Sequence, residues 1–439
     1  MTRSAPDSCP GVLRLHQAAD GPLARIRVPG GRLESAQLQT LADAARDLGN
    51  GNLELTSRGN IQLRQVRDAS ELALRLGVAG LLPSETHERV RNIVASPMSG
   101  RIGGFADVRG LAADLDAGLL ADPRLGDLPG RVLFTLDDGR GDVSTLHGDI
   151  GVQAVAADQF ALLLAGADTG LRISAGEAVD VMLDAARGFL DLRGTSDRGQ
   201  WRLHEVPGGV ESVIETLNRS PAGAPLELGA AHDIPIGWLD QDNGLVTLGA
   251  GVPLGTLSAR TTEFLAAVER PVFVTPWRSL VITDLDEGPA ETIVRVLAPM
   301  GLIFDANSPW LQVSACVGRP GCAKSHTDVR ADLTAAVESD RVRPGTPDAP
   351  ADPEQSVTNT TAADPENLLL AENLTATDNF AHHVSAKDEL VAAEAVTVAG
   401  RQHWSGCDRR CGRPRGPVTD VVATDHGYRV DPDDATTAL

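Results

Sequence analysis

Two stretches of this chain, about 220 residues apart, repeat one order of elements. In the first, Leu23-Ala-Arg-Ile-Arg-Val28 alternates apolar and polar residues, as a half-buried strand does. Leu38, Leu41, Ala42, Ala45 and Leu48 then recur at helical spacing, and alternation resumes from Leu53 to Leu63. In the second, within residues 245–283, Gly251-Val-Pro-Leu254 stands for Gly30-Gly-Arg-Leu33, and Thr261 to Val268 is the helical piece. Thr275-Pro-Trp-Arg-Ser-Leu-Val-Ile282 matches Thr56-Ser-Arg-Gly-Asn-Ile-Gln-Leu63. A period this long means two homologous halves, not a solenoid. The expectation is a duplicated α+β fold with two pseudo-symmetric halves around a central cavity.

Each repeat leads into a more helical stretch. Helices are expected at 110–120, 176–190, 210–217 and 289–297, strands at 131–136 and 150–155, and extended chain at 310–316. Residues 10–75 and 235–288 read as the two repeated half-domains, and 80–225 and 289–430 as the α+β stretches that follow them. Residues 341–397 differ, with five prolines and ten acidic against three basic residues. That composition buries too little apolar surface to offset its ordering entropy, so a disordered insertion is expected, with one short helix at Leu368 to Leu374. The tail, 431–439, is similar.

The net charge of −21 disfavours nucleic acid, whose phosphates demand a basic face, and disfavours anionic membrane surfaces. No apolar run approaches the ~20 residues that span a bilayer, and Met1 to Pro10 lacks the apolar stretch of a secretory signal. A cytoplasmic location is the expectation. Two of the 39 basic residues are lysines, Lys324 and Lys387, so arginine identity by itself carries little information.

Four of the five cysteines form two local pairs, Cys316-x5-Cys322 and Cys407-x3-Cys411. Soft thiolates at such spacing converge on tetrahedral zinc or on an iron–sulfur cluster, and a cytoplasmic chain argues against structural disulfides. Structural zinc favours tighter C-x2-C knuckles, so these spacings lean towards a [4Fe–4S] cluster, with a non-catalytic zinc scaffold as the other class.

Ser314-Ala-Cys-Val-Gly-Arg-Pro-Gly-Cys-Ala-Lys-Ser-His326 and Trp404-Ser-Gly-Cys-Asp-Arg-Arg-Cys-Gly-Arg-Pro414 resemble the cluster motifs of the sirohaem-dependent nitrite and sulfite reductase superfamily. Thr56 to Leu63 resembles its Thr-x-Arg-x-Asn strand, and Arg91-Asn92 its second arginine site. The opening Cys9 to Gly21, Leu136-Asp-Asp-Gly-Arg-Gly141 and Thr275-Pro-Trp-Arg278 resemble the precorrin-3B synthases within that superfamily. The resemblance implies two ferredoxin-like half-domains and a [4Fe–4S] domain. It further implies monooxygenation of precorrin-3A with lactone formation, using O2 and electrons from NADH delivered by a separate reductase. A mononuclear non-haem iron is a further expectation, with no ligands legible for it. Sirohaem belongs to the alternative reading, nitrite or sulfite reduction. Against that alternative, Leu128-Pro-Gly-Arg131 leaves one cation and then Leu133 where the reductases carry a lysine pair.

The resemblance assigns Cys316, Cys322, Cys407 and Cys411 to the cluster, and Arg58, Asn60, Arg91 and Arg131 to substrate or anion binding; Lys324, two residues after Cys322, reads as a cation that neutralises the cluster's charge or binds a substrate carboxylate. On a strand, Arg58, Asn60 and Gln62 would share one face. His326 reads as a hydrogen-bonded histidine before a ligand, Cys9 as a buried thiol, and His382-His383 as inert. Gly249-Ala-Gly-Val-Pro-Leu-Gly255 has the wrong glycine spacing for a dinucleotide loop and reads as a turn.

Overall fold

The computed structural model describes residues 7, 9–194, 199–229, 234–343, 396, 398–414 and 416–431. The chain forms two compact units, Met1–Leu311 with Pro320–Ala323, and Gln312–Arg319 with Lys324–Leu439.

The larger unit holds three five-stranded sheets. In its first repeat, β1 (His16–Ala18) and β2 (Gly21–Ile26) lead through a tight turn to β3 (Arg32–Leu33) and α1 (Ser35–Leu48). The hairpin β4 (Asn52–Leu55) and β5 (Ile61–Arg64) follows, and then α2 (Ala69–Val78). Helix α1 begins where the Gln37 side chain accepts the Glu34 N–H at 3.0 Å. It buries Leu38, Leu41, Ala42, Ala45 and Leu48, the face the periodicity predicts. Asp68 caps α2 by accepting from the Ser70 and Glu71 N–H groups.

Between the repeats lie β6 (Ile93–Ala95), α3 (Arg109–Ala121), β7 (Phe134–Asp137), β8 (Ile150–Ala156), β9 (Gln159–Leu164), β10 (Ala167–Ser174), α4 (Ala178–Arg193) and α5 (Gly209–Leu217). Their strands make a sheet ordered β10-β9-β8-β7-β6. Its core includes Phe134, Phe160, Leu162, Met182 and Phe189.

The second repeat runs β11 (Gly237–Asp240), β12 (Val246–Gly251), β13 (Thr256–Ser258), α6 (Ala259–Ala266), β14 (Val272–Val274), β15 (Ser279–Leu285) and α7 (Glu287–Leu297). The duplication is therefore explicit, and its alignment differs from the sequence reading in one place. The turn before the crossing strand equates Pro253-Leu-Gly255 with Pro29-Gly-Gly31, not Gly251 with Gly30. The segment expected to avoid a dinucleotide loop is this turn.

The repeats exchange strands. One sheet is ordered β1-β2-β5-β4-β13 and the other β11-β12-β15-β14-β3. Strand β13 pairs antiparallel with β4, Leu257 opposite Leu53, and β3 pairs with β14, Leu33 opposite Val272. One hydrophobic core consequently takes Leu33, Leu41, Leu53 and Leu63 together with Leu248, Leu257, Val274 and Ile282.

The smaller unit contains β16 (Val313–Ala315), α8 (Val329–Glu338), β17 (Val342–Arg343), β18 (Val398–Ala399), β19 (Gln402–Ser405), β20 (Thr419–Thr424) and β21 (Gly427–Asp431). Its sheet is ordered β16-β19-β20-β21, the first three strands parallel. Trp404 is fully buried and tilts against Tyr428 with ring centroids 5.1 Å apart. Part of the segment expected as an insertion at 341–397 is structured, because β17 pairs with β18 and both Val342 and Val396 are buried; residues 344–395 lie outside the described residues. The short helix expected at Leu368 to Leu374, His382-His383 and the tail beyond Asp431 lie outside the described residues.

Candidate functional site

Five arginines of the larger unit crowd around one thiol and one turn. The β2–β5 pairing aligns Arg25 with Gln62, whose side-chain oxygen accepts from Arg25 Nε at 3.0 Å. Arg25 Nη1 also reaches Cys9 Sγ at 3.6 Å. Two residues on, Arg27 donates from Nη2 to Cys9 Sγ at 3.3 Å and to the Pro10 carbonyl, and from Nε to the Arg89 carbonyl. Arg27 is only 2% exposed, and its Nη1 has no hydrogen-bond partner. Burial, with Arg25 and Arg58 nearby, brings its pKa down to about 10, against the opposing pull of Cys9.

Arg58 does not lie on a strand. Strand β4 ends at Leu55 and β5 begins at Ile61, so Arg58 sits in the turn between them, which Gly59 completes at φ 63°. Thr56 organises that turn: its Oγ1 accepts from the Arg58 and Asn60 N–H groups. The expected face of Arg58, Asn60 and Gln62 is thereby broken. Asn60 instead turns inward, accepting the Val28 N–H and donating to Asn92 Oδ1 at 3.1 Å. Asn92 in turn donates to the carbonyls of Arg89, Gly130 and Val132. The Arg58 guanidinium has no hydrogen-bond partner among the described residues. Burial first, and then the charge of Arg202, lowers its pKa to about 10. Arg202 is tied to the fully buried Asp149, and Arg131 lies over the Trp201 ring, 4.7 Å from its centroid.

Arg27 and Arg58 remain cations at neutral pH, yet each is raised in energy by its surroundings. Such a cluster attracts a multiply charged anion, since a carboxylate restores the missing hydrogen bonds and offsets the repulsion. Arg91 is differently placed: Asp116 takes its Nε and Nη2 at 2.6 and 2.7 Å, so its fork is occupied. Lys324, in the smaller unit, is exposed. Arg25, Arg27, Arg202 and Cys9 escape sequence reasoning. The legible trace of them is the i, i+2 pair Arg25 and Arg27 on one strand face.

The parallel ladder of β16 and β19 sets two cysteines at neighbouring strand ends. Cys316 follows β16 directly and donates its N–H to the Trp404 carbonyl, while Cys407 lies two residues beyond β19. The Gly406 N–H donates to Cys316 Sγ at 3.2 Å. The Arg319 N–H meets the Thr327 carbonyl and Arg319 Nε the Ser325 carbonyl at 2.7 Å, pinching the chain between them. Cys411 is exposed, and Arg410 beside it binds Asp420. His326 is paired through Nδ1 with Asp425 at 2.7 Å. In the larger unit, the Gly321 carbonyl next to Cys322 accepts from Arg64. All five cysteines are free thiols.

Residues 16–77 match the nitrite/sulfite reductase ferredoxin-like half-domain family. Precorrin-3B synthase of a Sinorhizobium species is 27% identical over 344 residues, 76% of this chain and 73% of that one. A ferredoxin-type sulfite reductase of Mycolicibacterium paratuberculosis is 26% identical over 342 residues, 70% of this chain and 60% of the relative. Among solved structures, the NirA protein of Mycobacterium tuberculosis superposes with a TM-score of 0.68 at 18% identity, covering 93% of this chain and 74% of that one. Residues 16–77 thus carry the ferredoxin-like half-domain of the nitrite/sulfite reductases, and most of the chain is similar to proteins of that kind. It shares the fold of the NirA protein, with the ferredoxin-like half-domain duplicated, and the sulfite reductase is an oxidoreductase by name.

These likenesses raise two groups, an iron–sulfur cluster and a mononuclear iron, and the residues present suit them unequally. Free thiols, one of them already accepting a backbone N–H, have the softness and the hydrogen bonding that an iron–sulfur centre uses. A mononuclear iron fits less well. Among the described residues, the group of carboxylates close enough to hold a metal is Asp137, Asp138 and Asp142. Asp137, however, is filled by four backbone N–H groups, from Gly139, Gly141, Val143 and Ser144. Arg140 occupies Asp138 through Nε and Nη2. That loop is a self-satisfied structural knot, not an open donor set.

Proposed function

We propose that this chain oxygenates a polycarboxylate tetrapyrrole, converting precorrin-3A to precorrin-3B with O2 and electrons that originate in NADH. The observation that carries the reading is the arginine cluster around Cys9, with one orphaned buried guanidinium nitrogen and one unpaired arginine. A ring of carboxylates is the ligand chemistry such a cluster recognises. The likeness to precorrin-3B synthase over most of both chains supports the same choice.

In this reading Arg27 and Arg58 take substrate carboxylates directly, and Arg25, Arg131 and Arg202 shape the field. Asn60 and Asn92 hold the Thr56 turn in place. Cys316, Cys322, Cys407 and Cys411 hold a [4Fe–4S] cluster, which when bound supplies single electrons. Lys324, two residues from Cys322, is the cation available to offset its negative charge. A separate reductase delivers the electrons, as no dinucleotide loop is legible in the chain.

The test combines colour and binding. Anaerobically purified protein is expected to show broad brown absorption without sharp porphyrinoid bands. Precorrin-3A should quench its fluorescence, and Arg58→Ala should weaken that binding about tenfold to a hundredfold, the worth of a charge-assisted hydrogen bond. Bound sirohaem with turnover of sulfite or nitrite would replace this reading with reduction, and a colourless zinc protein would replace it with a scaffold.

A further inference from the structure

The hairpin turn of the second repeat is built on the same plan as the one that carries Arg58. In the first, the Thr56 N–H donates to the Asn60 carbonyl at 2.9 Å, and Thr56 Oγ1 accepts from the Arg58 and Asn60 N–H groups. In the second, the Thr275 N–H donates to the Ser279 carbonyl at 3.0 Å, and Thr275 Oγ1 accepts from the Trp277 and Ser279 N–H groups. Trp277 therefore occupies the slot of Arg58, and Arg278 that of Gly59. The backbone agrees, with φ 63° at Gly59 and 59° at Arg278.

One difference stands out chemically. The left-handed slot holds glycine in the first turn, where it is relaxed, and an arginine in the second, where an L side chain is disfavoured. Strain of this kind persists where something else requires the side chain. The hairpins also approach each other. A Cβ built on Gly59 would lie 3.0 Å from the Val274 carbonyl oxygen, just before the second turn. A Cβ on Gly255 would lie 3.3 Å from the Leu55 carbonyl oxygen, just before the first, and 3.0 Å from Arg278 Cδ. The two turns thus flank the axis that relates the repeats. Trp277 and Arg278 are both half-exposed, outside the hydrophobic core that their strands build.

We propose that Trp277 and Arg278 form the second wall of the substrate site, Trp277 lying against the tetrapyrrole face and Arg278 taking a carboxylate. Arg58 and its neighbours hold the carboxylates of the opposite edge. This rests on the tetrapyrrole reading above and extends it to a part of the chain where no binding role has been assigned. An indole offers a flat amphipathic surface that a large conjugated or partly reduced macrocycle can cover at low entropic cost. The pseudo-two-fold site thereby becomes chemically one-sided, with an arginine cluster at one turn and an aromatic beside a single arginine at the other, which orients an asymmetric substrate.

The experiment is an anaerobic fluorescence titration with precorrin-3A on wild type, Arg58→Ala, Arg278→Gly, Arg278→Lys and Trp277→Leu, alongside thermal melts. Arg278→Gly relaxes the backbone, so its melting temperature should equal or exceed that of wild type while affinity falls about tenfold. Arg278→Lys, which keeps charge and strain, should recover part of that affinity. Trp277→Leu should lose most of the ligand-induced quenching and bind more weakly. Wild-type affinity in Arg278→Gly and Trp277→Leu, with Arg58→Ala impaired, would overturn this proposal and leave the tetrapyrrole reading standing. Failure of wild type itself to bind would remove both.

Discussion

Replacing Arg27 with methionine separates a residue kept for binding from one kept for stability. The side chain is 2% exposed and makes no ion pair with a carboxylate among the described residues. Lowering a guanidinium from its ordinary pKa to about 10 corresponds to a burden on the order of 3 kcal/mol at neutral pH. Methionine removes that burden. It also strands the Arg89 and Pro10 carbonyls and the Cys9 thiol, at about 1 kcal/mol each for modest neutral acceptors. The two sums nearly cancel. Arg27→Met should therefore unfold in urea within about 1 kcal/mol of wild type by linear extrapolation. Arg64→Met is the control of opposite sign. Arg64 is also buried, at 7% exposed, but pairs with Asp20 at 2.6 and 2.8 Å, and that partner raises its pKa against the effect of burial. Leaving Asp20 buried without its cation should cost about 3–5 kcal/mol. Arg27→Met should nevertheless lose precorrin-3A binding by at least tenfold. Equal destabilisation of the two variants, or unimpaired binding by Arg27→Met, would refute the view that Arg27 is held at a loss for an anion.

Alanine at Cys316, Cys322, Cys407 or Cys411 should each reduce bound iron and sulfide, measured chemically, whereas Cys9→Ala should keep the cluster and weaken precorrin-3A binding. Exchanging residues 345–395 for a Gly/Ser linker of about 12 residues should preserve iron content and the melting temperature, since loop closure changes by about 0.6 kcal/mol per doubling of length. Asp142 carries a pKa pushed up to about 7, by burial first and then by Asp137, with Arg140 and the Ser96 hydroxyl opposing. Its folded state holds a proton that the unfolded chain releases near pH 4, so this contribution to stability is present below that pH and is lost as pH rises through 7. Urea midpoints of Asp142→Asn should accordingly vary less between pH 4 and 7 than those of wild type.

Much of the architecture was legible because it leaves local traces. Leu38 to Leu48 announces α1 by spacing, and Thr56 and Thr275 mark the same hairpin twice. The exchanged strands β3 and β13 leave none: two or three residues, paired with a hairpin more than two hundred positions away, look like loop. Arg58 was read onto a strand because alternation from Leu53 to Leu63 continues through a turn, and Gly59 was the one residue that signalled the break. Arg91 shows a different limit. A buried arginine reads alike whether its partner is a ligand or an aspartate, and only the packing of α3 reveals Asp116. Cys9 reads as an ordinary buried thiol because Arg25 and Arg27, which grip it, lie 16 and 18 positions further on and meet it only in the fold.

The reciprocal exchange of β3 and β13 has an evolutionary meaning. A half-domain with its crossing strand bound into the other sheet cannot complete itself alone, since its own sheet lacks a fifth member. Two copies can complete one another. The present chain has the arrangement that joining the subunits of a strand-swapped homodimer end to end would produce. One turn carries arginine where the other carries tryptophan, so two related edges differ in chemistry without any change in fold.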